Sequence, residues 1–185
     1  VYGISKEKHK ESNSTTPICS YGIMKLAIEK YLYLYNYLYG IKYLILRLSN
    51  PFGEYHKNPL QVLINVVLEK VLNGETIEVW GDGSTVRDYI YIKDTVRIMV
   101  DLIEKNIQND ILNIGSGRGY SINEILTIIR EKVGNFPLKF VEARAIDVPY
   151  LVLNNDKLKT FLIINLIGIE EGVKRTYEWL KKRNN

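Results

Sequence analysis

The sequence predicts an α/β fold built on a parallel sheet. Short apolar runs alternate with segments of helical period, the pattern of βαβ units. Two of those runs, YLILRL at 43–48 and DILNIG at 110–115, are almost wholly apolar, as strands covered on both faces are. Helix-sized segments stop at Gly40, at Asn73-Gly74 and at Gly134.

Each element follows in order. Residues 4–20 are polar, contain Pro17 and read as a loop. Tyr21 to Tyr39 reads as a helix, with Leu26, Tyr31, Leu34 and Leu38 near helical spacing. The 43–48 run reads as a strand that SNPFG breaks. Leu60 to Leu72 has helical period. TIEVW (76–80) reads as a strand, GDGS as a turn, and VRDYIYI (86–92) alternates as a strand does. Asp94 is expected to cap a helix that runs to about Lys105. After the 110–115 strand, Ser121 and Glu124 form an S-x-x-E capping box. The helix they open carries Ile125, Ile128, Ile129 and Val133. LKFVE (138–142) reads as a strand. A final helix, about Ile169 to Lys182, turns Val173, Tyr177 and Leu180 inward.

Composition limits the function. The 185 residues are 46% hydrophobic and 25% charged, a globular balance. The net charge of +4 is spread along the chain, which argues against a nucleic-acid protein and leaves room for an anionic ligand. The single cysteine, Cys19, excludes an internal disulfide and fits a reducing cytoplasm. No apolar run reaches the roughly eighteen residues that span a bilayer, and no signal peptide is expected. His9 and His56 lack Cys or carboxylate partners at ligand spacing, so no metal site is expected.

The chemistry centres on SYGIMK, 20–25. Tyr21 and Lys25 lie one turn apart on one helix face. An ammonium beside a phenol favours the phenolate, and such a tyrosine can take a proton from a hydroxyl and return it. By themselves the two residues read rather as an ordinary helix surface in a chain of fourteen tyrosines. Asn50 follows a strand's carboxyl end, where α/β proteins bind ligands, and also suits a turn before Pro51. Arg87 and Arg144 carry forks that fit phosphate oxygens, or are solvated charges. Trp80 by itself reads as core.

The ordered set of motifs resembles the extended short-chain dehydrogenase/reductases, specifically the NAD-dependent nucleotide-sugar epimerases and dehydratases. VYG resembles the end of S-S-x-x-V-Y-G. SYGIMKLAIEKYL resembles Y-G-x-S-K-x-x-x-E, with Met24 where serine is usual. LRLSNPFG resembles L-R-x-x-N-x-Y-G, and VWGDGSTVRDYIYIKD resembles G-D-G-x-x-x-R-D-Y-I-x-V-x-D. LNIGSG with SINEI, and EARAIDVP, follow in the expected order. The resemblance covers essentially the whole chain and lies nearest the UDP-glucose 4-epimerase-like members.

The resemblance implies the following roles. Tyr21 is the catalytic acid/base. Lys25 holds the nicotinamide ribose and lowers the Tyr21 pKa. Asn50, Arg87 and Arg144 bind the substrate diphosphate, with Trp80 and Asp147 also in the substrate site. Asp88 supports the arginine loop. The cofactor is NAD, and hydride passes to and from sugar carbon 4 of a nucleotide-diphosphate sugar. The implied architecture is the C-terminal part of a Rossmann-type parallel sheet plus a smaller sugar-nucleotide-binding lobe. Residues 1–50 and about 86–116 contribute to the partial sheet; about 51–85 and 117–185 contribute mainly to the lobe. Relatives dimerise through the tyrosine helix, so a homodimer is expected of the complete protein, with Tyr33, Tyr37 and Ile28 facing the partner.

The chain also departs from the pattern. Ile146 stands where glycine precedes the aspartate of R-x-G-D. FLIINLIGI replaces L-G-W-x-P. GSGRG mimics a dinucleotide fingerprint but has Tyr120 where the last glycine belongs, and cofactor binding there is not expected. The Gly-rich turn that holds the NAD pyrophosphate is absent, and the Ser or Thr that partners the tyrosine would precede Val1. The expectation is therefore the C-terminal half or more of a 4-epimerase, incomplete alone. A 4,6-dehydratase and a non-catalytic sugar-nucleotide-binding module are the alternatives.

Overall fold

A computed structural model describes residues 1–56, 58, 61–143 and 148–184. Fourteen elements follow one another among them. They are α1 (Ser20–Tyr39), β1 (Leu44–Leu48), β2 (Asn50–Phe52), α2 (Leu63–Leu72), β3 (Ile77–Trp80), β4 (Val86–Tyr91) and α3 (Ile92–Glu104). After these come β5 (Asp110–Ile114), β6 (Gly119–Ser121), α4 (Ile122–Val133), β7 (Leu138–Val141), β8 (Tyr150–Leu151), α5 (Asp156–Phe161) and α6 (Ile169–Asn184). The alternation expected of βαβ units is present, and the long-range pairings β1–β5, β2–β4 and β3–β7 are all parallel. Among the described strands only β6 runs antiparallel to its neighbour, β4.

The strands form three small sheets: β1 with β5; β4 flanked by β2 and β6, with β8 also on β4; and β3 with β7. Two apolar clusters hold them. Ile64, Leu68, Ile125, Ile129 and Val173 join α2, α4 and α6 over β3 and β4. Ile98, Leu102, Leu112, Ile114 and Leu158 join α3 and α5 to one face of β1–β5. Burying each such side chain contributes about 1.5–3 kcal/mol. The cluster on α6 is tight: a Cβ on Gly172 would lie 2.7 Å from Phe52 Cζ, which is why a glycine stands there.

Several expectations need revision. SNPFG does not simply end a strand, because Asn50–Phe52 pairs with β4 as a second short strand. Asp94 does not cap α3. The N-cap is Tyr91, and the buried Asp94 carboxylate in the first turn accepts from Ile167 N–H at 2.7 Å and pairs with Arg97 at 2.8 Å. The Ser121–Glu124 box is present in both directions, at 3.1 and 2.6 Å. In α1, Tyr31, Leu34 and Leu38 do not form a buried stripe; they are exposed, and Gly22 and Glu29 alone are buried there.

Candidate active site

Three contacts fix how α1 lies on the β1–β5 sheet. Arg47 of β1 grips Glu29 with Nε at 2.9 Å and Nη2 at 2.7 Å. The Tyr33 ring meets Tyr43 edge-on at 5.1 Å. Asn36 Nδ2 donates to Ile41 O at 2.9 Å and to Asn109 Oδ1 at 3.2 Å. As α1 is followed backwards from Tyr33 to Glu29, β1 runs forwards from Tyr43 to Arg47, so the helix and strand are antiparallel. Tyr21 precedes Glu29 by eight residues, about 12 Å at the helical rise. Asn50 follows Arg47 by three, about 10 Å at the strand rise. Tyr21, Lys25 and Asn50 thus come to the same end of the sheet, the carboxyl end of its parallel strands, where open α/β sheets bind their ligands.

Tyr21 and Lys25 sit on the surface of α1. Tyr21 is 66% exposed, and Lys25 Nζ lies 5.4 Å from its ring centroid. Cys19 caps the helix, its Sγ accepting from Gly22 N–H at 3.4 Å. By contrast Tyr89 is buried beside Arg87; burial pushes its phenol up to about 12, against the pull of the arginine, and keeps it neutral.

Asn50 and Arg87 share one face of the β2–β4 pair. The register sets Asn50 opposite Tyr89, two residues beyond Arg87, and side chains alternate with period two. Asn50 Nδ2 donates to Asp88 O at 2.8 Å, which uses one of its two N–H groups. Arg87 Nη1 donates to Val86 O at 2.9 Å, and Tyr120 and Leu151 flank Arg87 in register. Trp80 ends β3 on a different sheet and is 42% exposed, so it is not a core residue. Arg144 and Asp147 lie outside the described residues.

The GSGRG turn cradles a carboxylate of the same chain. Asp88 is fully buried and accepts from Ser116 N–H at 2.8 Å, Ser116 Oγ at 2.7 Å, Gly117 N–H at 3.2 Å and Leu153 N–H at 3.3 Å. Burial raises its pKa and the four donors pull it back, with a net upward shift. A Cβ on Gly115 would lie 2.4 Å from Asp88 Oδ2, so only glycine allows this approach. The turn wraps the protein's own carboxylate and locks β4 to the end of β5 next to Arg87, the supporting role expected of Asp88.

Two site-shaping residues carried no assigned role in the sequence reading: Glu29 and Arg47. Both stand in quoted strings, as the Glu of Y-G-x-S-K-x-x-x-E and the Arg of L-R-x-x-N, and that co-occurrence was the available signal.

A phenol and an ammonium stand on one helix face at the carboxyl end of parallel strands, and an amide and an arginine share one face of a second parallel pair, in a mixed α/β fold. Comparison with known proteins agrees. Residues 1–115 match the NAD dependent epimerase/dehydratase family, and the chain belongs to that family. It is 30% identical over 194 residues to the UDP-glucose 4-epimerase of Halalkalibacterium halodurans, covering 94% of this chain and 58% of that protein. It superposes on the UDP-glucose 4-epimerase of Thermotoga maritima, solved with UDP-glucose, at TM-score 0.85 and 34% identity, over 92% of this chain and 56% of that one. The UDP-N-acetylglucosamine 4-epimerase of Methanobrevibacter ruminantium gives TM-score 0.91 at 26% identity, over 99% and 60%. The chain spans somewhat more than half the length of these relatives.

The described residues fit one end of NAD. Tyr21 and Lys25 supply a hydroxyl and an ammonium on one exposed face, the donor set that a nicotinamide ribose needs. The 185 residues hold no G-x-G-x-x-G or G-x-x-G-x-x-G turn for its pyrophosphate. Among the described residues no group of three His, Cys, Asp or Glu could hold a metal ion, and no helix is long and apolar enough to cross a membrane.

Proposed function

We propose that this chain is the catalytic-tyrosine and substrate-binding part of a nucleotide-sugar 4-epimerase of the UDP-glucose 4-epimerase type. The observation that supports this is the antiparallel seating of α1 on β1, which sets Tyr21 and Lys25 at the same end of the sheet as Asn50. On this reading Tyr21 takes the proton of the sugar 4-hydroxyl and later returns it. Lys25 holds the cofactor ribose and favours the Tyr21 phenolate. Asn50 turns its remaining N–H, and Arg87 its guanidinium, towards the diphosphate, with Arg144, Trp80 and Asp147 completing the substrate site. Bound NAD would supply the hydride acceptor and donor.

The β1–β5 pair with α1 and α3 belongs to the nucleotide-binding sheet, about 1–50 and 86–116. The rest, about 51–85 and 117–185, belongs mainly to the substrate lobe. The lobe reading is supported by the packing of α2, α4 and α6 into one cluster. The exposed apolar surface of α1 supports a homodimer of the complete protein in a reducing, cytoplasmic setting. Ile28 lies about 60° from Tyr31 around the helix axis, on the side of Met24 and Tyr35, whereas Tyr33 and Tyr37 lie about 200–240° round. They therefore cannot form one partner-facing stripe, and the two sets face different neighbours.

The test is Tyr21→Phe in a polypeptide that carries both these residues and a nucleotide-binding half. Turnover of a UDP-hexose should fall by about 10³-fold or more, with KM for the sugar nucleotide within about threefold. Normal turnover by the variant would remove the assignment.

A further inference from the structure

We infer that Glu29 and Arg47 are positioning residues, a buried ionic clamp that sets the rotation of α1 and thereby aims Tyr21 and Lys25. This rests on the reading of those two residues as the reacting pair.

The clamp is the one deep anchor of a long helix. Of the twenty residues of α1, only Gly22 and Glu29 are buried. Glu29 and Arg47 meet in a two-point fork, each side chain 8% exposed. A fork fixes direction as well as distance, because both N–H···O bonds must stay in one plane. Arg47 is itself held. Its guanidinium lies 4.7 Å from the Tyr2 ring centroid, and Tyr2 Oη donates to Asn113 Oδ1 of β5 at 2.7 Å. Asn113 in turn donates to His9 O at 2.8 Å. The fork therefore refers α1 to β1, β5 and the 1–11 segment together. Burial opposes the charge of Arg47, yet hydrogen bonding and the charge of Glu29, with Tyr2 adding to them, raise its pKa above the ordinary arginine value.

Tyr21, Lys25 and Glu29 stand at intervals of four, along one ridge of the helix. Fixing Glu29 thus fixes the azimuth of the other two. A tyrosine hydroxyl reaches about 8–9 Å from a helix axis, so a 20° rotation displaces it by about 3 Å, beyond the tolerance of a reacting geometry. Buried ion pairs are poor stabilisers compared with well-packed apolar residues, and fixing a register is their best-attested use. A buried ion pair midway along this helix, with the ring contact of Tyr33 and the hydrogen bonds of Asn36 further on, fits that use.

Removing one partner would strand a buried charge and unfold the region, so the informative variant replaces both: Glu29→Leu with Arg47→Met. It is read by thermal unfolding, by amide hydrogen exchange and by kinetics, alongside the swapped pair Glu29→Arg with Arg47→Glu. The apolar pair should keep its Tm within about 3 °C, since such replacements are close to neutral. Exchange of α1 amides should quicken by about tenfold or more while that of β5 and α4 holds. In the polypeptide with a nucleotide-binding half, kcat should fall by about 10²-fold with sugar-nucleotide KM within about twofold, and the swapped pair should restore part of it. Unchanged α1 exchange in the apolar pair overturns the proposal. So does a Tm loss above about 10 °C, which would make the clamp a stability element. If the unsubstituted protein shows no epimerase turnover, the functional reading fails by itself, and the exchange measurement still decides the clamp.

Discussion

The two edges of the β1–β5 pair are built in opposite ways. On β5, the residues whose backbone groups point away from β1 are Ile111 and Asn113, and side chains cover both. Lys157 Nζ donates to Ile111 O at 2.9 Å, and Glu11 Oε1 accepts from Asn113 N–H at 2.8 Å. Lys157 also pairs with Asp110. On β1, Ser49 N–H donates to Ile114 O, so the alternation of a parallel ladder turns Leu44, Leu46 and Leu48 outward. Among the described residues nothing bonds to their backbone groups. The helices beside β1 are left apolar as well: Met24, Ile28, Tyr31 and Tyr35 on α1, and Val96, Val100 and Ile103 on α3, are all exposed. Natural sheets blunt an edge that is to stay an edge. The contrast teaches that β5 ends the sheet, and it supports a sheet that continues beyond β1.

The largest expected effect comes from undoing the closed edge. Glu11→Ala with Lys157→Met strips both covers from β5. It leaves a partly buried N–H and C=O without partners, at about 1–3 kcal/mol each. The unfolding free energy should fall by roughly 2–5 kcal/mol in a denaturant titration, and self-association should increase in light scattering. A variant as stable and as monodisperse as the parent would mean that the covers are incidental, and the comparison of edges would lose its basis.

Much of this was legible in the sequence, and the parts that were not share a cause. The βαβ alternation, the Ser121–Glu124 box and the apolar strands 43–48 and 110–114 are local patterns, and local patterns survive in sequence. The placement of Tyr21 and Lys25 on one helix face was legible for the same reason, being two residues one turn apart. The covering of β5 was not, because Glu11 and Lys157 come from opposite ends of the chain and look like solvated charges. Strand β2 was hidden by Pro51, which a short strand tolerates where its N–H is not needed. Asp94 has the residue type of a cap, but tertiary structure recruits it to Ile167 and Arg97 instead. GSGRG looked like an anion cradle, and it is one; the anion is Asp88 of the same chain.

That cradle gives the next test, because it secures the closed side at the carboxyl end of β5. Asp88→Asn keeps the shape but turns an N–H₂ towards the donors of Ser116, Gly117 or Leu153, at an expected cost of about 1–3 kcal/mol. The pH dependence has a definite sign. The folded pKa of Asp88 is raised, with burial the main cause. Its stabilising contribution is thus fully present below the unfolded value of 3.8 and is lost as pH rises through the folded value. Subtracting the unfolding free energy of the variant from that of the parent at each pH should give a difference that grows as pH falls from neutrality towards that unfolded value. A flat or inverted difference would show that the four donors outweigh burial in the folded state.

The smallest effect is expected at the open edge, and its smallness is the point. Leu48 is 42% exposed and its N–H points away from β5. Proline there removes only that N–H and leaves the bonds from Ser49 and to Ile114 in place. Its ring fixes φ near −65°, which an extended edge residue tolerates at modest strain, and it asks Arg47 to remain extended, as a strand residue already is. Leu48→Ala measures the side chain alone, so the proline effect is the difference between the two variants. In the 185-residue chain that difference should stay below about 1 kcal/mol. In a polypeptide where a further strand lies against β1, the same substitution breaks a ladder bond and should cost about 3 kcal/mol or more. Equal costs in the two settings would mean that no strand joins β1 there. A cost near 3 kcal/mol already in the 185-residue chain would mean that the Leu48 N–H has a partner and that β1 is a closed edge like β5.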